Sequence, residues 1–357
     1  MRRLTIFALV TIAGTSAAQG PGARFGPQFV SYTLGAPSNV TITEMALPIF
    51  AFVPVTRGLT LDIGTAYAMA NVKSTGTQTR ESRISGLTDT QIRATMNLGS
   101  DLVLVTAGLN IPTGRTTADT SEQEAAALIG NDFLVFPISS MGSGFGGTGG
   151  IALARPIGQW NLGAGLSVRS SMPFDPYEDA TGNKLRYTPG TEMRARVGLD
   201  HPLGTGRASL GVTYSKFSDD QFQSSIYNTG DRILSQGYLS NSLGIGDYVL
   251  SAWNLFRSAG TLADGSATGT ESISDLSAAY GMTFGGARFE PGASFRLWSQ
   301  KEMPTSVQSS VALRLEKSFG RMVLAPSVGF TFGSVAATAT ESSSLSGFRG
   351  QLMFRMQ

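Results

Sequence analysis

The sequence predicts an all-β chain: a transmembrane antiparallel β-barrel of about 16 strands with short periplasmic turns and longer extracellular loops. Three observations carry the prediction. Most of the chain alternates with period two, one set large and apolar and the other polar, as a strand with unlike faces requires. The connections alternate between tight turns (55–58, 99–102, 155–160, 202–207, 285–287 and 318–321) and longer polar loops; a soluble sandwich has no reason to sort loop lengths by end. Finally, the polar sets hold full charges in mid-strand: Arg93, Arg194 with Arg196, Arg288 with Glu290, and Arg314 with Glu316. In a dry core each would cost several kcal/mol even when paired, whereas a wet lumen bears them at little cost.

Composition agrees. The chain has 357 residues, 15% charged, with 20 Phe, 9 Tyr and 3 Trp to furnish interfacial girdles. A net charge of +2 gives no footprint for a nucleic-acid partner. Cysteine is absent, so there is neither a disulfide framework nor thiolate chemistry. At the N-terminus Met1-Arg2-Arg3, the apolar run Leu4–Ala13 and Ser16-Ala17-Ala18 read as the three regions of a secretory signal peptide. The expected division is residues 1–18 as signal peptide and 19–357 as barrel. No later apolar run reaches the ~20 residues of a spanning helix.

Taken in order, Phe25–Gly35 is a weak strand ending at Ala36-Pro37-Ser38-Asn39. Val40–Val55 puts Met45, Leu47, Ile49, Ala51 and Val53 on one face. Leu59–Met69 alternates against Thr60, Asp62 and Gly64, and Lys73–Ser85 reads as a polar loop. Thr90–Leu98 and Val103–Ile111 flank the turn at Gly99. Pro112-Thr113-Gly114 then opens the longest loop, 115–144, in which Ser121 to Glu124 has capping-box spacing before a short helix at Ala125–Ile129. A Gly-rich strand, Phe145–Ala154, is followed by Trp160–Arg169, a polar loop Ser170–Tyr187, Glu192–Leu199 and Ala208–Ser215. Ser218–Gly244 is the least patterned region, with a strand near Arg232–Leu239; Gly246–Phe256 is apolar on both faces. Leu276–Phe284 and Ala287–Leu297 form a hairpin about Gly285-Gly286. Strands around Val307–Glu316, Leu324–Phe332 and Phe348–Met356 complete the chain. The count is 16, or 14 without Phe25–Gly35 and Arg232–Leu239.

Gly108-Leu109-Asn110-Ile111-Pro112-Thr113-Gly114-Arg115 resembles the G-L-x-x-P-T-G-[KR] stretch of the phenol meta-pathway outer-membrane proteins, in the long-chain fatty-acid transporter superfamily. The likeness continues through Met141-Gly142-Ser143-Gly144-Phe145 and Trp160-Asn161-Leu162-Gly163, and at Asn228–Arg232. It implies an outer-membrane barrel admitting small hydrophobic or aromatic molecules. Superfamily members of known architecture have 14 strands, and the helix-bearing insertion at Thr117–Ile129 departs from the shorter loop expected of the family.

Catalytic chemistry finds little purchase. The sole histidine, His201, falls beside Pro202 at a predicted periplasmic turn, the wrong end for a barrel phospholipase. No His/Cys cluster offers a transition-metal site, and no cofactor is implied. Gly142–Gly150 lacks the Lys-Ser/Thr and helix of a phosphate-binding loop. The remaining constellation is luminal: Arg93, Arg169, Arg194, Arg196, Arg288, Glu290, Arg296 and Arg314. It reads equally as a solute-selecting charge ring or as cross-strand pairs that fill and brace the barrel. Pro112, Thr113 and Gly114 are candidates for a constriction where the loop folds inward. The expected function is passive uptake of small hydrophobic or aromatic solutes across the outer membrane, without enzymatic activity. The expected partners are outer-membrane lipid, a small-molecule solute and the barrel-assembly machinery. The alternative is a structural or adhesive barrel with a plugged lumen.

Overall fold

A computed structural model describes residues 21–76, 79–99, 102–262 and 264–356; the expected signal peptide lies outside them. Sixteen antiparallel strands form the barrel wall. They are β1 (Gly22–Phe25 and Gln28–Leu34), β2 (Val40–Pro54), β3 (Leu59–Thr75), β4 (Thr79–Leu87 and Thr90–Leu98), β5 (Val103–Ile111), β6 (Gly146–Ile157), β7 (Trp160–Ser171) and β8 (Glu192–Leu203). The second half comprises β9 (Gly206–Phe217), β10 (Arg232–Leu243), β11 (Gly246–Arg257), β12 (Glu271–Phe284), β13 (Ala287–Gln300), β14 (Ser306–Phe319), β15 (Met322–Ala336) and β16 (Ser342–Met356). Each pairs with its chain neighbours, and β16 closes on β1 from Ala23↔Met356 to Leu34↔Leu345. Closure leaves no edge strand, so every wall backbone group can be satisfied without water.

Tight turns set the register at one end. Five are two-residue turns that begin with a glycine at φ near +60°: Gly158, Gly204, Gly244, Gly285 and Gly320. A left-handed first residue matches the twist of the flanking strands and carries no steric cost in glycine. At the central hairpin Gly285 and Gly286 both have positive φ, and Phe284 pairs with Ala287, as a type I′ turn demands.

The outward faces are apolar. Leu166 and Leu210 are each 64% exposed, and Val212, Leu276, Val311 and Phe330 stand out from other strands. Such a belt is stable only against lipid. Aromatics gather towards its edges: Trp160 stacks on His201 at 4.4 Å, and Phe25 on Phe354 at 5.3 Å, both near the turn end. His201 lies inside β8, near its end, with Nδ1 3.1 Å from the Gln159 carbonyl oxygen. No helix among the described residues is long and apolar enough to cross a membrane.

Several sequence expectations need correction. Lys73–Ser85 is a hairpin, because β3 and β4 run on beyond the apolar belt as a polar ribbon whose pairing reaches Thr75↔Thr79. Strand β4 is broken at Thr88-Asp89, and β1 at Gly26-Pro27. The polar loop after β7 contains two short strands, Phe174–Glu178 and Lys184–Thr188, which join Asp220–Phe222 and Ser225–Tyr227 in a small sheet above the barrel mouth. The helix spans Gln123–Ile129, and no capping box forms: its N-cap is Glu122, which makes no side-chain cap bond. Glu122 instead receives Arg115 at 2.6 Å, while Ser121 bonds Asp119. The connections after Leu34 and Ala336 are short for their end, five residues each, against two to four in the turns at the other end.

Candidate functional site

The lumen has two unlike halves. On β1 to β4 the inward set is apolar towards the loop end: Val30, Tyr32, Ile42, Ala46, Ala68, Ala70, Val72 and Ile84 are all buried. The loop between β5 and β6 covers them, contributing Ala125, Ala126, Ile129, Phe133, Leu134, Phe136 and Met141 to one continuous cluster. The small alanines on the wall let the helix lie flat against it. Phe133 stacks on Trp298 at 5.6 Å, and Phe136 meets Tyr32 edge-on at 5.4 Å. The loop is therefore a plug, seated by the same area-dependent burial that builds soluble cores.

Polar groups fix its position. The Ile138 N–H donates to Glu44, which is fully buried, at 2.8 Å. The Ser82 hydroxyl donates to the Ser121 carbonyl at 2.6 Å and accepts the Ala125 N–H at 3.1 Å. Arg257 reaches Asp132 at 2.7 Å, and Arg296 donates to the Phe133 carbonyl at 2.9 Å while paired with Asp275 and lying over Trp253.

At the root of the plug sits Asp89, in the break of β4. Its carboxylate accepts the N–H groups of Gly114 (3.2 Å) and Ser143 (2.6 Å) and the Asn110 amide (2.8 Å). The two sequence motifs, 108–115 and 141–145, are thus the two ends of one loop tied to one acid. Gly114 has no room for a side chain: a Cβ there would lie 2.3 Å from the Met141 carbonyl oxygen and 2.5 Å from the Asp89 nitrogen. Thr113 accepts the Thr90 N–H at 2.8 Å. Pro112, Thr113 and Gly114 belong to this root and are not among the residues that line the neighbouring cavity.

Beside the plug runs a cavity of about 1290 Å³, lined from Ala23, Phe52 and Ala152 near the turn end to Phe222, Tyr227 and Leu262 among the outer loops. Of the charged residues singled out in the sequence, Arg93, Arg169, Arg194 and Arg196 line it. Arg93 is bound to Asp62 at 2.8 Å and Arg194 to Glu192 at 2.8 Å.

Arg288, Glu290 and Arg314 do not line it. They belong to an ion-pair chain across β11 to β16 that runs Asp247, Arg288, Glu290, Arg314, Glu316, Arg355, with closest contacts from 2.6 to 3.6 Å. Gly281 makes room for it, since a Cβ there would fall 1.9 Å from the Arg288 guanidinium. Arg296, as above, clamps the plug.

Sequence reasoning missed Asp89, Glu44, Ser82 and the aromatics Phe174, Tyr177, Tyr187 and Phe222 that line the cavity among the outer loops. The available signal was the inward series Ala66, Ala68, Ala70, Val72, whose apolar character on a luminal face requires a cover. Among the described residues no group of His, Asp or Glu is placed to hold a metal ion.

No family model and no curated protein matches the chain. Solved structures do. A mutant of the TodX monoaromatic hydrocarbon channel is 10% identical, with a TM-score of 0.49, over 95% of this chain and 91% of that one. An anion-selective porin from Comamonas acidovorans is 14% identical, with a TM-score of 0.45, over 94% and 98%. The outer membrane protein opdK from Pseudomonas aeruginosa is 8% identical, with a TM-score of 0.48, over 94% and 98%.

Proposed function

We propose that this protein is an outer-membrane channel through which small solutes, hydrophobic and aromatic ones among them, pass without energy input. The observation that carries the reading is the cavity beside the plug, whose lining reaches from the turn end to the outer loops. A barrel used only as a scaffold has no need of such a space once the plug has covered its apolar patch.

The plug narrows the lumen without filling it and thereby sets the size of what passes. The roof of the cavity supports an aromatic solute: Phe174 meets Tyr187 edge-on at 5.5 Å, and Tyr177 meets Phe222 at 6.4 Å. Rings presented in this way receive another flat ring through offset or edge contacts. The resemblance at 108–115 and 141–145 points to the same solutes. No catalytic step belongs to this reading.

Liposomes containing the purified protein are expected to swell in isotonic solutions of small solutes, and to swell more slowly as solute size rises. Folded protein that leaves the liposomes as tight as empty ones would favour the plugged structural barrel instead.

A further inference from the structure

The charges along the open path are strongly one-sided. Its lining contains seven arginines and two carboxylates, Asp62 and Glu192. Arg232 lies towards the mouth, Arg169, Arg194 and Arg196 in the middle, Arg93 on β4, and Arg24 and Arg355 near the turn end. Two of the seven pair within the lining, Arg93 with Asp62 and Arg194 with Glu192, and Arg355 pairs with Glu316 outside it. Arg196 makes no ion pair among the described residues.

Register explains how the cations line up. Arg194 and Arg196 are two residues apart on β8, so both face inward, ~7 Å apart along the strand. Arg169 is directly across from Glu192, one step nearer the mouth. Around them the inward set is small: Gly165 and Ser167 flank the arginines on β7, Thr213 and Ser215 on β9. The Gly-rich β6 contributes Thr148 and Gly150. These short side chains leave open volume directly in front of the guanidinium groups. Above them stands the aromatic roof.

We propose that the open half of the lumen selects small aromatic carboxylates, the ring passing the roof and the carboxylate being handed along Arg169, Arg194 and Arg196. A guanidinium fork matches a carboxylate in a bidentate way. A lining of one sign favours the counter-ion throughout the path. This inference rests on the channel reading above and adds the charge of the solute to it.

The test uses the full chain in planar bilayers, with benzoate as probe. Under a tenfold KCl gradient the current is expected to reverse at a potential of the sign set by chloride. Benzoate is expected to interrupt the current, whereas benzyl alcohol and benzylamine do not. In R194Q/R196Q the chloride preference falls towards none, and block by benzoate weakens by about tenfold or more. In R194K/R196K the preference for anions persists, because the charges remain, while block still weakens, because the fork is lost. Should the glutamine pair fail to fold, the reversal potential of the wild type and the lysine pair decide the matter.

A conducting channel with no anion preference, or with benzoate block unchanged in both variants, overturns the proposal and leaves the channel reading intact. Folded wild-type protein that conducts nothing overturns both.

Discussion

Asp89 accepts the backbone N–H of Ser143 at 2.6 Å, and so an acid in a broken wall strand holds the far end of a loop whose near end, Gly114, it also holds. The position is 7% exposed. One carboxylate therefore ties both ends of the plug to the wall.

Replacing Asp89 with alanine leaves the Gly114 and Ser143 N–H groups without their acceptor, while the Asn110 amide keeps the Gly144 carbonyl. Each buried donor left unmade costs about 1–3 kcal/mol. The expected outcome is a barrel that still inserts but whose plug shifts, read as larger and noisier single-channel currents. Unaltered currents would mean that the apolar cluster alone seats the plug.

Gly114→Ala should act on the same root without touching charge. The new methyl would meet the backbone of Met141 and Asp89, neither of which can move independently of its strand or loop. Cleavage within 117–140 by added protease is expected to accelerate relative to wild type. Equal rates in the two proteins would contradict the close approach.

Phe133→Ala removes a ring that is 1% exposed and stacked on Trp298. Truncating a buried Phe costs about 3–5 kcal/mol. The loss falls on the plug rather than the wall, so protease access to the loop should rise while the barrel keeps its heat-resistant gel mobility. A collapse of the barrel itself would show that plug and wall fold as one unit.

Much of this was legible in the sequence, and the physical reasons for what was not are specific. The hairpin about Gly285-Gly286 was readable because apolar and charged residues alternate without a break on both sides and the turn requires left-handed backbone. The 16-strand count was readable for the same reason. The polar ribbon ending at Thr75 and Thr79 was not, because outside the belt neither face must be apolar and periodicity falls silent. The role of each luminal arginine was hidden too. Arg288 is braced by Asp247, 41 residues away, and Arg296 by the plug, so only the register separates them from Arg194 and Arg196, which face open space.

Neighbouring strands also test which face meets lipid. Val212 is 49% exposed on the outside of β9, while Thr213 faces the cavity. Val212→Arg should cost about 2–4 kcal/mol at mid-membrane depth, seen as a lower urea midpoint for folding into liposomes. Thr213→Arg should leave that midpoint nearly unchanged and reduce conductance. The reverse order would invert the assignment of the two faces.

In the outer loops, Asp179 is held at about 2 by the Thr181 hydroxyl, then by the N–H of Asn183 and further bonds from both residues. Its folded value is depressed, so the stabilisation of the 179–183 turn is fully present above the ordinary value of 3.8 and is lost as pH falls towards about 2. The Asp179 carboxyl resonance should titrate near that lower value. Thr181→Ala, which removes the hydroxyl, should move the titration upward, and an unmoved midpoint would remove the cause assigned here.

If a fixed plug leaves a through-path beside it, the barrel must conduct, and single-channel recording reads that out. Purified protein, shown to be folded by its heat-dependent gel mobility, should give discrete and sustained current steps in a planar bilayer. Folded protein that inserts and stays silent at every voltage would contradict it.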